Sequence, residues 1–263
     1  MNRITGPAAF AGILAAAACV IPIYVDDLGR FDRTAAVFRE TVEFAPGRVL
    51  SVENGVGDIT IRGWDGDDIE ITAEEGWEES AGWNLGRNNL PPRVTIDRSE
   101  QGVRIQARPR ETSLEDDRAV RLLIQVPHDV ELRDVAGRRG RITVSDIYGR
   151  IRLDLEEGDV RVENFSGSID ADLVRGSMEA ELLDIRSTDT VRLSLREGPA
   201  SLGLESDFSG RIEADAPNGT LDCEFSVDPP AGRTKAAGKI GSGEGALIIV
   251  STLRGDIRIR KIR

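Results

Sequence analysis

Residues 140–184 read GRITVSDIY, GRIRLDLEE, GDVRVENFS, GSIDADLVR and GSMEAELLD, which are five units of nine residues that each begin with glycine. In every unit the second and fourth residues after the glycine are apolar, as Ile142 and Val144 are in the first. A period of two is typical of a β-strand with one buried face. The glycine marks a turn that needs a positive φ. The stretch therefore predicts short strands that recur every nine residues.

The same phrase occurs outside this stretch, as GDITIRGWD from Gly57, GDDIEITAE from Gly66 and GDIRIRKIR from Gly255. Short strands on a fixed period cannot bury their apolar faces alone, so they predict a stacked array. We expect an all-β fold of the β-solenoid or β-helix type. An antiparallel β-meander or sandwich is the alternative, because a tight turn every nine residues also suits hairpins.

The outward charges indicate how many units form one coil. Three residues after the glycines stand Arg152, Arg161, Asp170 and Glu179. Coils of nine would stack Arg152 on Arg161, whereas coils of eighteen would place Arg152 beside Asp170, and opposite charges on neighbouring strands stabilise a sheet. Eighteen is the favoured period. The residues five after the glycines are acidic in either register: Asp154, Glu163, Asp172 and Glu181.

The apolar pattern also predicts the core. The side chains expected to point into it are Ile151, Leu153, Val160, Val162, Ile169 and Ala171. A further apolar contact is expected seven residues after four of the glycines, from Ile147, Phe165, Val174 and Leu183.

The N-terminus resembles an export segment, with Arg3 before an apolar run from Pro7 to Val25. Three forms are open: a lipoprotein modified at Cys19, a cleaved soluble form, and a retained membrane anchor. We divide the chain into an export signal or anchor at 1–25, a tether at 26–40 and a β-repeat domain at 41–263. Within that domain we expect loops at 76–92, 109–118 and 226–245.

Composition excludes several functions. The 263 residues include 34 Lys and Arg against 46 Asp and Glu, a formal net charge of -12. Nucleic acid is excluded as a partner, because binding to phosphates needs clusters of Lys and Arg. Two cysteines and one histidine supply no ligand set with metal spacing, so no metal or cofactor is expected.

Several quoted motifs together carry a family resemblance. GDITI at 57–61 runs into GWDG at 63–66, a strand ends at Val126-Pro127, and GDIRI at 255–259 closes the chain. Over residues 40–263 the sequence resembles the bacterial "putative adhesin" family of envelope proteins. The resemblance implies export and a right-handed β-solenoid-like domain, and the family has no established catalytic mechanism. The tryptophan-bearing loop at 76–92 departs from the family pattern.

Residues with catalytic potential are few. His128 follows Pro127 in a turn-like VPHD, which indicates a surface turn residue rather than a base. Cys223 alternates with Leu221 and Phe225, which is typical of a core position. The aspartates after glycine, such as Asp58, Asp159 and Asp256, are expected to cap turns rather than bind calcium.

We therefore expect a non-catalytic, exported envelope module that binds or scaffolds an envelope protein or a glycan, with the membrane reached through the N-terminal segment. Trp77 and Trp83, in a polar loop, are the candidate contact residues, and the alternative is that both rings cap the first coil. The other function class is a carbohydrate-active β-helix enzyme, in which the acidic columns would act on a polysaccharide.

Overall fold

The computed structural model describes residues 37–79, 82–85, 91–109 and 118–262. All the regular secondary structure within these residues is β-strand. The strands are β1 Val37–Val42, β2 Val49–Val56, β3 Ile59–Trp64, β4 Ile69–Glu79, β5 Gly82–Leu85, β6 Arg93–Arg98, β7 Gly102–Arg108, β8 Arg118–Pro127, β9 Glu131–Ser145, β10 Tyr148–Leu182, β11 Thr190–Glu197, β12 Ala200–Glu205, β13 Gly210–Asp215, β14 Leu221–Cys223, β15 Val227–Asp228, β16 Lys235–Ile240, β17 Ala246–Arg254 and β18 Ile257–Ile262. The all-β prediction is confirmed for this part of the chain. The predicted export segment at 1–25, with Cys19, lies outside the described residues.

The strands form one mixed sheet whose pairings follow two ladders. Ladder A contains β1–β4–β8–β3–β9–β10 and then β10–β12–β18–β14. Ladder B contains β6–β7–β2–β9–β10 and then β10–β11–β17–β13–β16–β15. The long strands β9 and β10 pass between the ladders, so each contributes to both. The pairs in the repeat region are parallel, which rules out the meander alternative there.

The core contains side chains from both ladders in a single cluster. All six predicted core residues are at most 2% exposed, and so the prediction from the period is confirmed. Ile147 and Phe165 are also fully buried. The prediction was wrong for Val174, which is 41% exposed, and Leu183 is only half-buried. Val174 lies eighteen residues after the exposed Glu156, at the turn from ladder B to ladder A, whereas Leu183 directly follows the end of β10.

The register of the repeat is eighteen residues. Gly158 pairs with Gly140 and Val160 with Ile142. Arg152 accordingly lies 3.7 Å from Asp170, the opposite-charge contact that favoured this period. Between β10 and the next circuit, the sequence separation of paired residues rises to 22, as in the pair of Met178 with Ala200. The added length is accommodated in the turn between β10 and β11, so the ladders continue without a break.

A column of glycines runs along the turns that lead from ladder B to ladder A. Gly176 has a φ of 138°, and a Cβ on it would lie 1.6 Å from the carbonyl oxygen of Gly158. In turn, a Cβ on Gly158 would lie 1.8 Å from the carbonyl oxygen of Gly140. The same close approach recurs at Gly57, Gly198, Gly219 and Gly255. Glycine is therefore required at these turns by both backbone conformation and space, except at Gly219, where φ is not positive and space alone requires it.

The predicted tether and loops need correction where the structure describes them. Residues 37–40 of the tether belong to β1, which pairs antiparallel with β4. Residues 76–79 and 82–85 form strands, as do 227–228 and 235–240. These segments lie at the ends of the ladders, where a strand needs no regular alternation because much of its surface meets water. Of the segment 109–118, the described residues are Pro109 and Arg118.

Gly176→Ala tests the glycine column. We expect it to lower the free energy of unfolding by more than about 2 kcal/mol, because the new Cβ meets backbone that cannot move aside and φ is unfavourable for alanine. Denaturant unfolding of the full-length chain measures the loss. Gly55→Ala is the control, since nothing lies within 4 Å of its Cβ position, and it should change stability by less than about 1 kcal/mol. Equal effects of the two changes would contradict the role of the column.

Candidate binding site at the β4–β5 hairpin

The hairpin that contains the two predicted contact residues is an extension of β4. The first half of β4 is held in the sheet, because Ile69, Ile71 and Ala73 are buried. This half pairs antiparallel with β1 on one side and with β8 on the other. Where β1 begins, β5 takes its place beside β4. The hairpin is therefore built directly on the scaffold and not on a long connection.

Two buried ion pairs lie at the base of the hairpin. Arg121 Nη1 is 3.1 Å from Glu74 Oε1, and the Glu74 side chain is 0% exposed. Arg118 Nη1 is 3.1 Å from Glu75 Oε1, and the Glu75 side chain is 4% exposed. Both pairs join β4 to β8. A carboxylate is removed from water only where a cation or hydrogen bonds compensate it, so the four side chains tie the hairpin's base to ladder A.

The register of the hairpin separates the predicted contact residues. Trp77 pairs with Asn84, and Trp83 pairs with Glu78. The two tryptophans are therefore near each other along the hairpin without being directly opposite. The side chains of both lie outside the described part of the structure, and their role in contact stays a prediction.

The acidic columns do not come together in one place. Asp154 lies in the part of β10 that pairs in ladder B, whereas Glu163 lies in the part that pairs in ladder A. Each is paired with an arginine on its own strand, at 3.3 Å from Arg152 and 2.6 Å from Arg161. These carboxylates raise the pKa of both arginines, chiefly through hydrogen bonds.

Glu181 pairs with a distant arginine instead. Arg260 Nη2 lies 2.5 Å from Glu181 and 2.9 Å from Glu179. Gly203 lies between Glu181 and Arg260 in the ladder, and the arginine side chain reaches across it. The acidic columns thus form part of a charge-compensated outer face.

The aspartates after glycine connect neighbouring strands rather than cap their own turns, which corrects the sequence interpretation. Asp58 accepts a hydrogen bond from the Arg141 amide at 3.0 Å, and Asp159 accepts one from the Ser177 hydroxyl at 2.5 Å. Asp256 accepts bonds from both the hydroxyl and the amide of Thr220, and these lower its pKa. Among the described residues, no group of three His, Cys, Asp or Glu side chains is placed to hold a metal ion.

His128 is half-buried and has partners, so it is more than an exposed turn residue. Its Nδ1 lies 2.6 Å from the carbonyl oxygen of Asp146, and its ring stacks on Tyr148 at 5.3 Å. Its Nε2 lies 3.4 Å from Asp65. The ring therefore joins three successive turns. The VPHD motif alone does not predict these contacts, because the partners of His128 come from different turns.

Cys223 packs partly buried against the core, as predicted in outline. Burial raises the pKa of its thiol, which donates a hydrogen bond to the Phe225 carbonyl at 3.8 Å. A thiol with a raised pKa is a poor nucleophile at neutral pH.

Within the described residues, no helix has the length and hydropathy of a membrane span.

The buried polar residues at this end of the molecule could not be identified from the apolar period. Glu74 is the last residue of the repeat unit that begins at Gly66, and nothing in the period distinguishes Glu75 or the interior Asn54. The Asn54 amide is fully buried and donates a hydrogen bond to the Val120 carbonyl at 2.7 Å. The available signal was the pair of adjacent acidic residues that follows the apolar alternation of β4.

Comparison with known proteins finds similarity at the level of structures only. No family model matches the chain, and no curated protein matches it. A putative cell adhesion protein from Clostridium sporogenes aligns at 14% identity with a TM-score of 0.46, over 86% of this chain and 100% of that one. A putative adhesin from Bacteroides fragilis aligns at 8% identity with a TM-score of 0.28, over 86% and 97%. A putative adhesin from Parabacteroides merdae aligns at 10% identity with a TM-score of 0.22, over 86% and 96%.

These structural neighbours are bacterial proteins of the kind that the sequence motifs resembled, at low sequence identity. With TM-scores below 0.5, nothing about their binding transfers to this chain.

Arg121→Met tests the buried ion pairs. It leaves the carboxylate of Glu74 without this cation, and we expect it to cost about 3–5 kcal/mol of unfolding free energy. Arg152→Met is the matched control, because its pairs with Asp154 and Asp170 are exposed and exposed ion pairs contribute little to stability. Chemical denaturation of both variants measures the difference. A loss at Arg121 no larger than that at Arg152 would contradict the assigned role.

Proposed function

We propose that the chain is a non-catalytic binding module of the bacterial cell envelope and that the β4–β5 hairpin is its contact site. The observation that carries the proposal is the pair of buried ion pairs at the base of the hairpin. Binding residues work best when a rigid scaffold positions them. Here a short hairpin containing two tryptophans extends from a strand that is fixed on both sides. Tryptophan is among the residues that contribute most to binding energy at protein interfaces.

The charges of the outer faces support this choice of site. Asp154, Glu163 and Glu181 are all occupied by arginines within the same molecule. Carboxylates in such exposed pairs are solvated, and their charge is compensated by arginine. This arrangement does not favour the two facing carboxyl groups, one acid and one base, that a glycoside hydrolase needs. The partner is therefore an envelope protein or a glycan that is bound and left unchanged.

The proposal includes the architecture and the location. The eighteen-residue parallel register and the glycine column support coils of a β-solenoid, which we take to be right-handed. The apolar run from Pro7 to Val25 supports export, with Cys19 as the lipidation site if the segment is processed as a lipoprotein. In this arrangement the β-repeat domain lies outside the cytoplasm, in the periplasm or at the cell surface.

A double Trp77→Ala, Trp83→Ala variant tests the contact site. Wild-type and variant full-length chains are immobilised and incubated with solubilised envelope extract and, separately, with envelope polysaccharide. We expect the retained material to fall at least about tenfold in the variant, because buried aromatic contacts dominate binding. The melting temperature should stay close to that of the wild type.

Trp64→Ala is the matched control. The Trp64 indole donates a hydrogen bond to the Asp68 carbonyl at 3.0 Å within a turn outside the hairpin, so this change should lower stability and leave binding intact. A sharp fall in melting temperature in the double variant would show that the rings cap the fold. Release of reducing ends from the polysaccharide by the wild-type chain would contradict the non-catalytic assignment.

A further inference from the structure

The strand β6 forms an open edge of the sheet. Among the described strands it pairs only with β7, at the end of ladder B. Its side chains alternate, with Arg93, Thr95 and Asp97 exposed and with Val94 and Ile96 half-buried against the core. An open edge of this kind exposes backbone N–H and C=O groups that can pair with another strand.

We propose that β6 pairs antiparallel with β6 of a second copy of the chain, about a two-fold axis through Thr95. In that register Thr95 faces Thr95 of the second copy, and residues equally far before and after it lie opposite each other. Val94 then lies opposite Ile96 of the second copy. Arg93 lies opposite Asp97 of the second copy. The contacts of Val94 with Ile96 and of Arg93 with Asp97 each occur twice, as a symmetric dimer interface requires.

The chemistry of this register is favourable on both faces of the strand. Cross-strand pairs of β-branched residues, of threonines and of opposite charges each stabilise an antiparallel sheet. The axis keeps the half-buried face of one strand beside the half-buried face of the other, so the two cores become continuous. The charges also select the register, because Arg93 lies opposite Arg108 within its own chain and the dimer places an acidic side chain opposite it.

Other edge strands fit a second copy less well. Centring β1 on Glu40 would place two carboxylates opposite each other, and centring it on Arg39 would place Phe38 opposite Glu40. Glu40 is in any case paired with Arg98 of its own chain. At the far ends of the ladders, β14 and β15 contain only three and two residues. Self-complementarity therefore singles out β6 among these edges.

A cysteine at the axis tests the proposal. Thr95→Cys is introduced into the full-length chain with Cys19→Ser and Cys223→Ser, and the protein is oxidised with diamide in a non-denaturing detergent. We expect a disulfide-linked dimer on non-reducing electrophoresis. Thr190→Cys is the matched control, because Thr190 is also exposed and lies on β11, which has a strand on both sides. That variant should give at least fivefold less dimer.

The charges provide a second test in the Thr95→Cys background. Asp97→Arg places like charges opposite each other and should reduce the dimer yield at least fivefold. The exchange Arg93→Asp with Asp97→Arg restores opposite charges and should restore the yield. Thermal unfolding of each variant shows that the fold is retained. A monomeric Thr95→Cys chain, cross-linking to other proteins in place of a second copy, or an exchange variant that fails to recover would each overturn the proposal.

Discussion

The structure depends on the close approach of backbone to backbone along the glycine column. At Gly158 and Gly176 the Cα carbon of one turn faces the carbonyl oxygen of the turn eighteen residues earlier, at a distance that leaves no room for a side chain. This contact places successive strands of ladder A directly over one another. It also explains why glycine recurs every nine residues in sequence although one complete circuit takes eighteen, since the two glycines of a circuit serve different turns.

The side chains beside the column convert this stacking into a specific order. Asp58, Asp159 and Asp256 each accept a hydrogen bond from a residue at or beside the start of a neighbouring ladder segment. On the outer faces, arginines and carboxylates alternate from strand to strand, as in the pair of Arg152 with Asp170. Because many of these charges are compensated within the molecule, the extensions and edges are the places where we propose contact with other molecules. The hairpin on β4 and the open strand β6 are of this kind.

The sequence predicts the repeat region well, because there one physical rule acts at every position. Alternation places Val160 and Ile169 in the core, and the signs of the outward charges select the eighteen-residue register. The ends of the ladders were less predictable. β1 pairs with a strand distant in sequence, while β5 and β6 belong to hairpins outside the nine-residue repeat, so the period carries little information about these strands. The burial of Glu74 likewise depends on Arg121, 47 residues away, and the proposed contact site rests on the unusual position of two tryptophans.

Disulfide formation between chosen strands of one chain tests the eighteen-residue register most directly. In a background without Cys19 and Cys223, the account predicts that Thr143→Cys with Arg161→Cys forms an intramolecular disulfide, because these residues are paired and adjacent strands lie within the reach of that bond. Arg152→Cys with Arg161→Cys, nine residues apart, should stay reduced, because the two positions belong to different ladders. Efficient cross-linking of the second pair and not of the first would contradict the account.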